Sequence, residues 1–351
     1  MRGEFVVSKK EVLEGSFTQN TFLKAQEFDN TVQSYQKKIA QIRAEVGKVI
    51  VGQEKIISSL IEALLCNGHC LVEGVPGIAK TLSVRTLSKV TKGQFSRIQF
   101  TPDLLPTDII GITTYEEGKG FYSVKGPIFA NFVLADEINR APPKVQSALL
   151  EAMQERQVTI GKESFALPVP FFVMATQNPI ESLGTYKLPE AQIDRFLFKL
   201  KMEYPSIEDE MKIIHQNNTL QKFEEFELTP LMSPEDLVRA QQEVKKVYMD
   251  KKVEQYIAHI VESTRNYEKY KLTTGKYLEY GASPRATIAL FIASKAHAFV
   301  KGRTYATPMD VKEVAHNVLR HRMILNYEGQ AEEMSTDKII DEILKKVPIP
   351  Q

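Results

Sequence analysis

The spacing of hydrophobic positions along the chain changes character once, near Tyr204-Pro205. Before that point, from Tyr35 to about Lys201, short apolar runs rich in β-branched and aromatic residues alternate with segments of helical period. That alternation predicts parallel strands joined by crossover helices. The runs His69–Glu73, Phe95–Phe100, Asn131–Ala135, Phe171–Ala175 and Phe196–Lys201 predict five strands, most of them buried on both faces. Two stretches break the rhythm: Ile112–Ser123, with Gly118 and Gly120 at its centre, and Gln157–Val169, around Gly161-Lys162. Both alternate and carry turn residues, so each predicts a β-hairpin inserted into the α/β frame. After Tyr204-Pro205 the strand signal disappears. Helical periods follow near Glu208–Gln216, Pro234–Val247, Val253–Tyr270, Pro284–Lys301 and Pro308–Arg320, and predict an all-α domain over 205–351. Residues 1–34 hold no sustained period and read as a loosely ordered N-terminal arm, which leaves 35–204 as the α/β domain.

Composition narrows the class without naming a chemistry. With 351 residues, 43% apolar and 25% charged, the chain has ample core for two or three domains, which excludes a disordered or low-complexity protein. Forty-five Lys and Arg against forty-four Asp and Glu leave a net charge of +1, so no whole-chain field favours nucleic acid or an anionic membrane. Two cysteines cannot form a disulfide framework, and Met1–Gln26 carries charges throughout instead of the apolar stretch of a secretory signal. A cytoplasmic, reducing location is therefore expected. No apolar run approaches the roughly 20 residues of a spanning helix, so no membrane segment is expected.

The sharpest chemical signal is Gly74-Val75-Pro76-Gly77-Ile78-Ala79-Lys80-Thr81, which follows the strand Cys70-Leu-Val-Glu73 and precedes a helical segment. This is the setting of a phosphate-binding P-loop, with backbone N–H groups, a helix N-terminus and a lysine all directed at phosphate oxygens. Thr81 would place its hydroxyl on Mg²⁺, and Ala79 stands where the pattern usually has glycine. The apolar strand Asn131–Ala135 runs into Asp136-Glu137, putting two carboxylates at a strand's C-terminal edge, where α/β sheets bind ligands. Asp136 would hold Mg²⁺ through water, and Glu137 would orient or deprotonate the water attacking the γ-phosphate. A plain helix N-cap is the structural alternative for this pair. The strand Phe171–Ala175 leads to Thr176-Gln-Asn178-Pro179, where Asn178 could hold the attacking water against Glu137 or simply mark a turn. Arg195 in Glu190-Ala-Gln-Ile-Asp-Arg195 and Arg285 in Ser283-Pro-Arg285 could neutralise phosphate charge, or form surface salt bridges.

Taken together, these residues resemble the AAA+ ATPases, specifically the MoxR family within the group whose second helix is interrupted by a hairpin. The resemblance covers about Tyr35–Arg320. The P-loop with Ala79, the run Pro189–Phe196 and Gly281-Ala-Ser-Pro-Arg285 are all typical of that family. It implies a P-loop AAA+ core with a parallel five-stranded sheet, inserted hairpins and a helical lid. By the same resemblance, Lys80 and Thr81 serve phosphate and Mg²⁺ in Walker A, Asp136 and Glu137 form Walker B, and Asn178 is sensor 1. Arg195 is the finger that reaches a neighbouring subunit's nucleotide, Arg285 is sensor 2, and Ile50-Val51-Gly52-Gln53 lies along the adenine. ATP is the implied nucleotide, and the absence of an Asn-Lys-x-Asp guanine motif agrees.

A trans arginine completes the active site only at a subunit interface, so hydrolysis should depend on assembly. The resemblance implies a hexameric ring whose hairpins approach the pore, with Tyr115, Phe121 and Tyr122 as candidate substrate contacts. It also implies maturation of client protein complexes, commonly with a separate partner carrying a von Willebrand A domain. A nucleic-acid-acting relative, helicase- or clamp-loader-like, would need basic hairpins. Here Glu116 and Glu117 offset Lys119 and Lys125, and Lys162 offsets Glu163, so no nucleic-acid partner is expected. A nucleotide-gated scaffold with little turnover is the third reading. Cys66-Asn-Gly-His69-Cys70 lacks a fourth ligand and reads as buried thiols, Glu313-Val-Ala-His316 as an ordinary helix, and His321 between Arg320 and Arg322 as a solvated helix end.

Overall fold

The computed structural model describes residues 19–75, 77–178, 184–216 and 223–350. Its centre is a parallel sheet built from β1 (Cys70–Glu73), β2 (Phe95–Gln99), β5 (Phe132–Asp136), β8 (Phe172–Gln177) and β9 (Phe198–Lys201), in the order β2-β5-β8-β1-β9. The five expected strands are present, shifted by one or two residues. Between them come two antiparallel hairpins, β3 (Gly111–Glu116) with β4 (Gly120–Lys125), and β6 (Gln157–Ile160) with β7 (Glu163–Ala166). The hairpins meet side by side: Gly161 lies so close to Thr113 that a Cβ there would fall 2.5 Å from the Thr113 hydroxyl oxygen.

Strand alternation divides the interior into two clusters. Cys70, Val72, Phe132, Leu134, Phe172 and Met174 face the helices Gln19–Gly47, Glu54–Leu65 and Lys80–Val90. Leu71, Val133, Ala135, Val173 and Ala175 face the helix Pro143–Glu155 and the second hairpin. The first cluster continues without a break into the lid helices Pro234–Lys246, Lys251–Ser263, Pro284–Val300, Pro308–Leu319 and Thr336–Lys346. Lid and sheet are therefore packed on shared apolar surface, the dominant source of stability for such contacts.

Three local expectations change. The helix Gln19–Gly47 crosses residue 34, and Val32 is fully buried, so residues 19–34 are part of a packed helix and not a loose arm. Residues 1–18 lie outside the described residues. The helix begun at Lys251 ends at Ser263 and not near Tyr270, because Ser263 and Thr264 hydroxyls donate back to the Ile260 and Val261 carbonyls. The lid also carries two short ladders, β10 (Tyr248–Met249) with β12 (Tyr305–Ala306) and β11 (Leu278–Tyr280) with β13 (Ile324–Leu325), too short to leave a period in the sequence. Among the described residues no helix is long and apolar enough to cross a membrane.

Candidate active site

Strand order decides which functional residues meet. β5, β8 and β1 are consecutive in the sheet and all parallel, so Asp136, Asn178 and Gly74 emerge at one edge, about 5 Å apart from strand to strand. The Gly74 N–H donates to the Gln177 carbonyl at 3.4 Å, joining the loop to the end of β8. Gly74 has no room for a side chain: a Cβ would lie 2.5 Å from Ile78 Cδ1 and 3.0 Å from the Met202 carbonyl oxygen. Gly77 has φ +88° and Ala79 has φ 61°, so the loop turns through two left-handed residues before the helix Lys80–Val90. Val75, Gly77, Ile78 and Thr81 follow this path, while Pro76 lies outside the described residues. That helix has no side-chain cap at Ala79, which leaves its first N–H groups directed into the loop. Lys80 Nζ donates to the Gly74 carbonyl at 2.6 Å across the same loop.

The carboxylates are held by neighbours that sequence reasoning missed. Asp136 is 9% exposed; its Oδ1 accepts from the Thr176 hydroxyl at 2.6 Å and its Oδ2 from Arg97 Nη2 at 2.7 Å. The same Thr176 oxygen accepts the Glu137 N–H at 2.9 Å, so one hydroxyl sets both acidic residues. Glu137 sits at φ 57°, ψ 49°, a left-handed conformation that is costly for a non-glycine residue, and its Oε2 accepts from Gln99 Nε2 at 2.9 Å and Arg140 Nη1 at 3.1 Å. Arg97 and Gln99 alternate along β2 on one face, a period-two signal that could have revealed them. Asn178 is buried at the end of β8. Val51 and Gly52 lie between the first two helices; Gly52 packs on Asp209, and Gln53 Nε2 donates to the Glu203 carbonyl at 3.0 Å. The donor set suits Mg²⁺, which takes one or two carboxylates and leaves the rest of its shell to phosphates and water.

Arg195 and Arg285 are elsewhere. Arg195 precedes β9, whose first residue Phe198 pairs with Cys70 at the start of β1, and the Leu197 N–H donates to the His69 carbonyl at 2.8 Å. Both arginines therefore sit at the N-terminal edge of the sheet, in a cleft of about 330 Å³ bordered by Asn67, Gly68 and Ile288. The length of β1, roughly 10 Å, separates this edge from the phosphate loop. Arg195 Nη1 donates to the Leu150 carbonyl at 3.2 Å, and Arg285 Nη1 lies 3.9 Å from Asp194 Oδ2.

The solvated helix end expected at 320–322 is instead interior. His321 and Arg322 are buried, and Arg322 Nε donates to Asp194 Oδ1 at 2.8 Å. Burial pushes the Arg322 guanidinium down to about 10 against the pull of Asp194, so it stays charged at neutral pH. His69 is spent on structure: its Nδ1 accepts the Val173 N–H at 3.0 Å and its Nε2 lies 3.2 Å from the Met153 carbonyl. The exposed aromatics of the first hairpin, Tyr115 at 62% and Phe121 at 79%, pack on each other with ring centroids 5.2 Å apart.

Sheet order, phosphate loop and lid together define an AAA-type P-loop fold, and comparison with known proteins agrees. Residues 69–198 match the ATPase family associated with various cellular activities (AAA), and residues 271–343 match the AAA lid domain. The chain is 48% identical over 309 residues to the chaperone MoxR1 of Mycobacterium tuberculosis, across 88% of this chain and 81% of that protein. It is 44% identical over 306 residues to the uncharacterized protein YeaC of Bacillus subtilis, across 87% and 92%. A crystal structure of a candidate ATPase from Cytophaga hutchinsonii superposes with a TM-score of 0.87 at 48% identity, across 94% of this chain and 99% of that one. The chain belongs to the MoxR family of AAA+ ATPases.

Proposed function

We propose that this protein is a Mg²⁺-dependent ATPase that assembles into a ring, a hexamer by family resemblance, and uses hydrolysis to remodel or mature protein complexes in the cytoplasm. The observation that carries this reading is the separation of the two sheet edges: the phosphate loop leaves β1 at one end, and Arg195 and Arg285 approach it from the other. Both arginines then serve the nucleotide of an adjacent copy, and no site is complete in one chain.

In this reading the loop Gly74–Thr81 binds the phosphates through backbone N–H groups of residues 77–81 and the Lys80 ammonium, and Val51 and Gly52 border the adenine. Thr81 and Asp136 hold Mg²⁺, which when bound neutralises phosphate charge. Asn178 and Glu137 orient a water; Glu137 takes its proton as the oxygen attacks the γ-phosphorus, releasing ADP and inorganic phosphate. Arg195 and Arg285 of the neighbour stabilise the charge spreading over the transferred group. The nucleotide-binding domain extends to residue 204 and takes in the whole helix Gln19–Gly47, and the lid covers 205–351. Tyr115 and Phe121 meet the client; support for a protein client is their exposure, together with the Lys119–Glu116 pair that leaves the hairpin tip without free positive charge. A separate partner with a von Willebrand A domain recruits it, as family resemblance suggests.

Mixing two inactive variants tests the shared site. Lys80→Ala and Arg195→Ala should each hydrolyse ATP on the order of 10³-fold more slowly while still assembling, as judged by light scattering. Co-assembled at equal amounts, about a quarter of interfaces join an intact Lys80 to an intact neighbouring Arg195, so activity should return to roughly a quarter of wild type. A mixture as inactive as its parts refutes the trans arrangement, and a wild type without turnover at any concentration leaves a nucleotide-gated scaffold.

A further inference from the structure

The cation that organises the arginine edge is one that takes no part in the proposed chemistry. Arg322 follows the helix Pro308–Leu319, and its five N–H donors meet five acceptors. Nε bonds Asp194 Oδ1 at 2.8 Å, Nη2 bonds the carbonyls of Phe196 at 2.6 Å and Asp194 at 3.2 Å, and Nη1 bonds those of Leu197 at 3.1 Å and Val318. Four of the five lie on residues 194–197, so the backbone on both sides of Arg195 is gripped from the lid. The other oxygen of Asp194 accepts from the Ser283 hydroxyl at 2.9 Å, and Ser283 caps the helix that carries Arg285 in its first turn. The grip extends along the edge strand, where His321 Nε2 lies 3.0 Å from the Phe196 carbonyl and Arg320 Nη1 donates to the Lys199 carbonyl at 2.7 Å.

We propose that Arg322 is a positioning residue: through Asp194 it fixes Arg195 and Arg285 relative to each other, so that the lid and the finger are presented to the neighbouring subunit as one rigid unit. This rests on the trans-arginine reading above. A planar fork with five donors can hold a turn and a carboxylate together; a lysine, with three donors on a flexible stem, keeps the charge and loses the geometry. Misplacing a catalytic group by about 1 Å costs on the order of a hundredfold in rate while leaving ground-state binding nearly intact.

The experiment measures kcat and KM for ATP, nucleotide affinity, assembly and thermal midpoint for Arg322→Lys, Asp194→Asn and Arg195→Ala, and single-turnover rates for Arg195→Ala with and without Arg322→Lys. Expected is an Arg322→Lys protein that assembles and binds nucleotide within about twofold of wild type, loses about ten- to a hundredfold in kcat, and keeps KM within about threefold. In the Arg195→Ala background the same substitution should cost clearly less than it does in the wild type, because the part of its effect that passes through Arg195 is already lost and only the part through Arg285 remains. A wild-type kcat for Arg322→Lys, or losses that multiply in the double variant, overturns the proposal. Should Arg322→Lys fail to assemble, Asp194→Asn decides: a fall in kcat at constant KM supports positioning, and an unchanged kcat overturns it. Wild-type hydrolysis by Arg195→Ala alone marks failure of the underlying reading and is told apart by that single variant.

Discussion

The two edges of the central sheet hold functional residues by different means. At the C-terminal edge, parallel register does the placing: β5, β8 and β1 end side by side, and one Thr176 hydroxyl links Asp136 and Glu137 across adjacent strands. At the N-terminal edge no register relates Arg195, before β9, to Arg285, in a lid helix; they are related by the buried pair of Asp194 and Arg322 and by Ser283. The first arrangement starts from backbone register and one short hydroxyl, with Arg97, Gln99 and Arg140 bracing the carboxylates from outside. The second depends on a buried charge, which is tolerable only while every donor is satisfied. Damage at either edge should lower stability, while the chemical step suffers directly at the first edge and through the placement of the two arginines at the second.

Thr176→Val gives the larger of the effects that sharpen this contrast. The substitution keeps shape and strand preference but leaves the Asp136 Oδ1 and the Glu137 N–H without their shared partner, at a cost of about 1–3 kcal/mol of stability. With Glu137 no longer tied to β8, kcat should fall at least about tenfold while assembly persists. A Thr176→Val enzyme with wild-type kcat would mean that register alone positions the acidic pair.

Acid separates the edges next. His69 and His321 both lie at the arginine edge, and both are held well below the ordinary histidine value, first by burial and then by cations: Arg156 for His69, and Arg322, Lys199 and Arg320 for His321. The unfolded rings take up protons near pH 6.5 and the folded ones do not, so the unfolded state binds more protons below that pH and stability falls as pH falls. Each ring should cost about 1 kcal/mol between pH 6.5 and 5.5. Urea unfolding at both pH values measures the loss, and His321→Gln should remove about half of it. Equal losses with and without His321 would show that this ring is not a source of the sensitivity.

What could be read from the chain follows the same division. The P-loop, the carboxylate pair and the five strands are contiguous signals, because the physics that places them acts over a few residues. The phosphate loop needs glycine at Gly74 and Gly77, and a buried parallel strand needs an unbroken apolar run. Arg322 was opaque because its burial depends on Asp194, 128 positions away, and nothing in Arg320-His-Arg322 distinguishes a solvated helix end from a clamp. Arg97 and Gln99 were visible only as polar alternation in an edge strand, whose meaning awaits the knowledge that β2 lies beside β5. The helix Thr336–Lys346 went unseen although Ser335 caps it and Ile339, Ile340 and Ile343 form its buried stripe, since its ten-odd residues sit beyond the last strong period of the lid.

The smallest predicted effect tests how far backbone alone governs the nucleotide edge. Ala79 occupies φ 61°, ψ 23°, where an L-residue with a Cβ is strained by roughly 1–2 kcal/mol. Ala79→Gly removes that strain and also loosens the unfolded chain, which takes back about 0.4–1 kcal/mol. The net expectation is a gain of about 0.5 kcal/mol in urea unfolding, with nucleotide affinity unchanged within about twofold because the N–H groups of the loop keep their directions. A loss of stability on the same substitution would mean that the Ala79 methyl packs usefully against the loop. The nucleotide edge would then depend on side-chain fit as the arginine edge does, and the distinction between the two would narrow.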